Sequence, residues 1–224
     1  MLKVWGRPTS TNTQRVLWAL AEAEVPYELT LASGTTGAKG YVWRGEKPFG
    51  IVETANYRAM NPNGTIPTIE DGGFTLWESN AIVAYLARRY APDKLFGGNE
   101  MAYARALQWM IWTNCQLDHA MHALVMHLER LPAGKRSADT VEASRKEVVG
   151  RLELMEAQLG RTRYITGEEF TMGDIPPSIS TTRFFHFGLA HPPAPRVKDW
   201  LARLGKREGF RAHVAPREKH LMSA

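Results

Sequence analysis

Residues 61–90 read NPNGTIPTIEDGGFTLWESNAIVAYLARRY, and the punctuation of this stretch decides what kind of fold the chain builds. Asn63-Gly64 is a turn signal, Pro67 follows the β-branched Ile66, and Asp71-Gly72-Gly73 separates two short apolar runs. Ile66 to Glu70 and Phe74 to Trp77 therefore read as the two strands of a hairpin. A helix follows from Ser79, with Ile82, Tyr85, Leu86 and Arg89 along one face.

Upstream, Lys3 to Trp5 is a short strand ending in the turn Gly6-Arg7-Pro8. Thr13 to Glu24 carries Val16, Leu17, Leu20, Ala21 and Ala23 at helical spacing, and Tyr27 to Leu31 alternates as a second strand. Ser33 to Gly50 is glycine-rich with Lys, Arg and Trp interspersed, a long loop of the length that usually carries function or motion. Downstream, Ala91 to Asn99 holds a proline and two glycines and reads as a linker. Beyond it the periodicity is helical: Met101 to Arg130, a break at Leu131-Pro132-Ala133-Gly134, then Asp139 to Leu159. Thr171-Met172-Gly173-Asp174 has capping-box spacing, with Phe170 and Ile175 placed as a staple, and opens a helix to about Leu189. A proline cluster, Pro192-Pro193-Pro195, leads to a last helix from Val197 to Glu208. Mixed elements come first and helices alone follow, so two unlike domains are expected: 1–90, a linker 91–99, and an all-α domain over 100–224.

Composition narrows the function. The chain has 224 residues, 44% hydrophobic and 23% charged, enough for packed cores. No run approaches the ~20 apolar residues of a membrane helix. The opening Met1-Leu2-Lys3-Val4-Trp5 lacks the pattern of a secretory signal, so a cytoplasmic location without membrane partners is expected. A single cysteine, Cys115, excludes an intrachain disulfide, a two-cysteine redox centre and a cysteine-rich metal site. The net charge of +5 and pI near 9.4 suit nucleic acid or small anionic ligands. No nucleic-acid motif accompanies the basic residues, which favours a solvated basic surface and no nucleic-acid partner.

With these residues in view, the chain resembles the cytosolic glutathione S-transferase superfamily. Residues 61–90 look like its glutathione-binding signature, and WGRPTSTNTQRVLWAL (5–20) looks like its first strand, active-site loop and first helix. Bacterial members such as the nu class and the glutathione transferase B type are the nearest in character. The resemblance implies a thioredoxin-like α/β N-terminal domain, an all-α helical-bundle C-terminal domain, glutathione as co-substrate, a small electrophile as second substrate, and a homodimer.

It also assigns candidate residues. Ile66 would offer its backbone to the middle of glutathione, before a cis Pro67, although an X–Pro bond taken alone favours trans. Glu78 and Ser79 would hold the γ-glutamyl end, the hydroxyl and helix N-terminus taking the carboxylate and the acid pairing with the ammonium. The alternative makes Ser79 an ordinary cap and Glu78 a first-turn acid. Lys39, Arg44 and Lys47 are candidates for the glycine carboxylate, or solvated loop charges.

A free thiol has a pKa near ~8.5, so catalysis needs a donor that stabilises the thiolate. Aligning on Val16 places Ser10 at the family's Ser/Thr/Cys position and Asn12 at the nu-class asparagine, with Thr9 and Thr11 as rivals. These residues can equally serve as helix caps. No tyrosine or cysteine lies in the first 26 residues, which disfavours the tyrosine and cysteine classes. Arg7 can add positive potential beside the sulfur, and with Trp109 and Trp112 it is a candidate for the second-substrate pocket; the two tryptophans fit inter-helix core equally well. His119, His122 and His127 lack a paired acidic motif, so no metal is expected. The same fold would also serve a glutathione-dependent dehalogenase, lyase, peroxidase or disulfide reductase, or a non-catalytic ligand carrier.

Overall fold

The computed structural model describes residues 1–32 and 51–215. They divide into two compact units, Met1–Leu95 with the segment from Glu208 onward, and Phe96–Arg207.

The first unit is built on a four-stranded sheet in the order β2-β1-β3-β4. Strand β1 (Leu2–Gly6) is followed by α1 (Thr11–Glu22) and β2 (Tyr27–Leu31), which returns parallel to β1. A short helix, α2 (Ala55–Met60), precedes β3 (Thr68–Asp71), which runs antiparallel to both β1 and β4 (Phe74–Trp77). Helix α3 (Ser79–Tyr90) completes the βαβ–ββα order expected of a thioredoxin-like domain. Alternation puts Leu2 and Val4 of β1 and Ile69 of β3 into the core, where Val16, Leu17 and Leu20 of α1 and Ile82, Val83 and Leu86 of α3 are buried as well.

The sequence reading missed two elements here. Helix α2 is only six residues long and too short to show a period. The last helix expected from the sequence, Val197 to Glu208, ends at Leu204, and a separate short helix, α9 (Glu208–His213), belongs to the first unit and packs against α1. Phe210 meets the buried Trp18 edge-on at 5.3 Å, and the Gln14 side chain donates to the His213 carbonyl at 2.9 Å.

The second unit is helical throughout. Its long path runs from α4 (Glu100–Trp112) through a π-helical stretch (Thr113–Asp118), α5 (His119–Val125) and a second π-helical stretch (Met126–Arg130). At the first widening the Thr113 hydroxyl donates back to the Trp109 carbonyl at 2.8 Å, a bond that loosens the ladder. Helix α6 (Ala138–Leu159) packs on α5, the Ser144 hydroxyl donating to the Ala120 carbonyl. The expected capping box is present at Thr171–Asp174 and closes a 3-10 turn that leads into α7 (Ile175–His186), three residues shorter than the pattern suggested. All of α7 from Ile175 to Phe184 is buried, so it is the unit's central helix. Arg183 at its end pairs with the equally enclosed Glu129. Helix α8 (Pro195–Leu204) closes the unit through Val197, Trp200 and Leu204. No described helix is long and apolar enough to cross a membrane.

Candidate functional site

The strand register fixes which loops meet. Trp5 of β1 pairs with Thr30 of β2 and Thr68 of β3, and Thr68 pairs in turn with Trp77 of β4. That row is the last across the sheet. Immediately beyond it lie Gly6–Ser10 leaving β1, Ile66-Pro67 entering β3, and Glu78-Ser79 leaving β4. Open α/β sheets bind ligands at such an end, outside the carboxyl ends of strands. Three of the four segments singled out from the sequence therefore meet at one edge.

The β1–α1 loop is a tight turn. The Ser10 N–H donates to the Arg7 carbonyl and the Gln14 N–H to the Ser10 carbonyl, both at 2.9 Å. Gly6 is needed here: a Cβ on it would lie 2.6 Å from Cγ2 of Thr13, whose hydroxyl accepts from the Arg7 N–H at 3.3 Å. Ser10 occupies the N-cap position of α1, but its side chain makes no capping bond. Its half-buried hydroxyl is thus not consumed by the helix, whereas the neighbouring Thr9 hydroxyl is enclosed without a hydrogen bond among the described residues. Asn12 is exposed in the first turn and accepts, through its side-chain oxygen, from the Ser79 hydroxyl at 3.4 Å. One turn further, Arg15 is wholly buried and donates to the Asn80 side chain at 3.4 Å.

At the start of α3, Glu78 is the N-cap residue and adopts φ 71°, ψ 110°, in the left-handed half of the map. A non-glycine residue held there costs of order 1–3 kcal/mol and is found where a site over-determines the backbone. Ser79 is the first helical residue and is 5% exposed, so it is not the cap; the reading of Ser79 as an ordinary cap does not hold. The first turn of α1 contains no acidic residue and its cap is Ser10, so its amino end keeps a positive character, whereas the amino end of α3 carries the Glu78 carboxylate at its cap.

The Ile66–Pro67 bond is cis. Around it lies a buried polar network that the sequence reading did not find. The Tyr57 hydroxyl donates to the Thr65 carbonyl at 2.6 Å and stands 2.8 Å from the Thr68 hydroxyl. The Asn61 side-chain nitrogen donates to the Thr65 carbonyl at 2.9 Å and to the Thr68 hydroxyl at 3.1 Å. Tyr57 has one proton and a carbonyl can only accept it, so Thr68 is the donor between the two hydroxyls. Burial pushes the Tyr57 phenol above its ordinary range, which keeps it a donor. The signal was the Asn61 of the N-P-N-G turn, which read only as punctuation.

Other candidates are dispersed. Lys39, Arg44 and Lys47 lie outside the described residues. Trp109 and Trp112 belong to the second unit, where their rings meet edge-on with centroids 5.0 Å apart, Trp109 nearly buried and Trp112 half-buried. His119 and His122 are exposed, and His127 accepts from the Ser137 N–H at 2.9 Å. Among the described residues no group of three or more His, Cys, Asp or Glu is arranged to hold a metal.

A family model described as the N-terminal domain of glutathione S-transferase matches residues 9–89. Glutathione S-transferase GstB of Escherichia coli (strain K12) is 36% identical over 216 residues, 96% of this chain and 98% of the relative. Glutathione S-transferase 3 of Zea mays is 30% identical, over 96% of this chain and 93% of the relative. Among solved structures, the theta class glutathione S-transferase of Xanthomonas axonopodis pv. citri with glutathione bound superposes with a TM-score of 0.84 at 33% identity, covering 100% of this chain and 98% of that one.

Proposed function

The chain belongs to the glutathione S-transferase family, and from that premise we propose that it binds glutathione at the end of the N-terminal sheet and delivers its thiolate to a small apolar electrophile. The observation that supports this best is the meeting of Ser10, Ile66-Pro67 and Glu78-Ser79 beyond one row of the sheet, joined by the Ser79–Asn12 hydrogen bond.

Each part of the tripeptide has a chemical counterpart there. The γ-glutamyl carboxylate suits the amino end of α3 and the Ser79 hydroxyl, and its ammonium suits Glu78. The cysteinyl backbone suits the N–H and C=O of Ile66, as a short added strand. The sulfur then falls towards the amino end of α1, where Ser10 is our first choice of donor and Asn12 the second. Lowering a thiol pKa by two units takes about 2.7 kcal/mol, within reach of one charge-assisted hydrogen bond and a helix terminus. In the transfer step the thiolate sulfur forms a bond to carbon and the leaving group departs with its electron pair, so no oxidant or metal is needed. Lys39, Arg44 and Lys47 remain the proposed partners of the glycine carboxylate. A homodimer in the cytoplasm, with residues 1–90 as the glutathione-binding domain, completes the proposal.

Calorimetry with glutathione, followed by turnover of an activated aryl chloride, tests this reading. Uptake of the tripeptide with release of chloride and a thioether product is expected. Oxidised glutathione as the product would instead make the chain a peroxidase or reductase, and no uptake at millimolar concentration would refute the reading.

A further inference from the structure

We propose that Tyr57 and Asn61 are positioning residues for glutathione: by holding the Thr65 carbonyl they aim the Ile66 N–H at the cysteinyl backbone of the ligand. This rests on the glutathione reading above and adds to it two buried residues beyond those that reading assigns to the ligand.

The inference follows from the planarity of one peptide bond. The Thr65 carbonyl and the Ile66 N–H share a rigid trans plane and point in opposite directions. Whatever fixes the oxygen therefore fixes the hydrogen. Two donors converge on that oxygen, the Tyr57 hydroxyl at 2.6 Å and the Asn61 amide at 2.9 Å. The same two side chains reach Thr68, so the positions on either side of Ile66-Pro67 are held to one anchor. Ile66 itself lies before the first ladder pair of β3, at Thr68, and the β1–β3 pairing does not orient its amide.

The anchor is rigid. Tyr57 is 1% exposed and packs against Ala32 and Val52, and its own N–H is held by the Thr54 side chain at 3.2 Å. Asn61 is fully buried and uses both ends of its amide: the oxygen accepts from the Asn63 N–H at 3.1 Å while the nitrogen serves Thr65 and Thr68. A hydrogen bond to a ligand gains most when its donor is held in place beforehand, because little ordering remains to be done on binding. None of these groups belongs to the β1–α1 loop, so the device should act on binding and leave thiol activation alone.

Tyr57→Phe removes one hydroxyl and keeps the ring. Asn61→Asp keeps the shape and replaces a donor with an acceptor facing the Thr65 oxygen. Each variant is to be measured, well below its melting temperature, for glutathione Kd, KM for both substrates, kcat at saturation, and the pKa of the bound thiol by its ultraviolet absorbance. The expected result is a rise of about fivefold in Kd and KM for glutathione in Tyr57→Phe and more in Asn61→Asp. The saturated kcat, the thiol pKa and the KM of the electrophile should stay within about twofold. Should Asn61→Asp fail to fold, Tyr57→Phe decides alone. Glutathione affinity unchanged in a folded Tyr57→Phe variant, with only the melting temperature lowered, would overturn the inference and leave the glutathione site standing. So would a thiol pKa that moves as much as the affinity. A wild-type protein that takes up no glutathione would remove both.

Discussion

The hydroxyl of Ser79 donates to the side-chain oxygen of Asn12 at 3.4 Å, joining the first residue of α3 to the first turn of α1 across 67 positions of sequence. The bond makes the proposed carboxylate seat and the proposed sulfur seat parts of one assembly. Ser79→Ala would remove the proposed ligand donor and this tie together. We expect its glutathione Kd to rise about tenfold, in line with a lost hydrogen bond to a charged group. In a double-mutant cycle, Asn12→Ala should add less to Ser79→Ala than it does alone, by calorimetry. Strict additivity would show that the contact carries no coupling.

The side chain at the N-cap of α1 is not spent on capping, which sharpens the choice of thiol activator. Ser10→Ala should raise the pKa of bound glutathione by one to two units and lower turnover at neutral pH by about tenfold or more, with Kd changed by less than about threefold. The thiolate absorbance as a function of pH measures the first directly. Unchanged turnover in Ser10→Ala beside a collapse in Asn12→Ala would transfer the role to Asn12.

Residues 61–90 disclosed much of this because each of its signals has a local cause. A turn at Asn63-Gly64, alternation along two strands and a helix beginning at Ser79 need no knowledge of the rest of the chain. What escaped has causes distant in sequence. Tyr57 matters through Thr65 and Thr68, eight and eleven positions away, and α2 is too short for its pattern to register. The π-helical widenings at Thr113–Asp118 and Met126–Arg130 leave the apolar spacing close to that of one long helix, so they read as one. The cis geometry at Pro67 came from the resemblance alone, since an X–Pro pair by itself argues the other way.

Helix α9 holds α1 through a glycine. A Cβ on Gly209 would lie 2.2 Å from Cδ1 of Trp18, a wholly buried ring on the helix that begins beside Ser10. Gly209→Ala must therefore push α9 away from α1. The expected cost is about 1–3 kcal/mol, the range for overpacking a close contact. Denaturant unfolding should show it as a lower midpoint with little change in slope. A midpoint equal to wild type would show that the two helices separate without penalty.

Asp174 gives the protein a distinctive pH dependence. Its buried carboxylate accepts from the Ile165 N–H and the Trp200 indole at 2.9 Å on one oxygen, and from the Thr171 N–H at 3.1 Å on the other. Burial nevertheless outweighs these donors and pushes its pKa up to about 6, from 3.8 for an ordinary aspartate. Between those two values the folded chain holds a proton that the unfolded chain has released. Stability from this group is thus complete below the lower value and falls as pH rises through the window. A separation of this size corresponds to about 3 kcal/mol. Asp174→Asn cannot titrate, and its amide N–H groups would face donors, so it should be less stable than wild type throughout. The margin by which wild type exceeds it should shrink by about 3 kcal/mol between pH 4 and pH 7 and stay level above that, in denaturant unfolding repeated across the range. Parallel profiles for the two proteins would mean that Asp174 ionises in the folded chain as easily as in water.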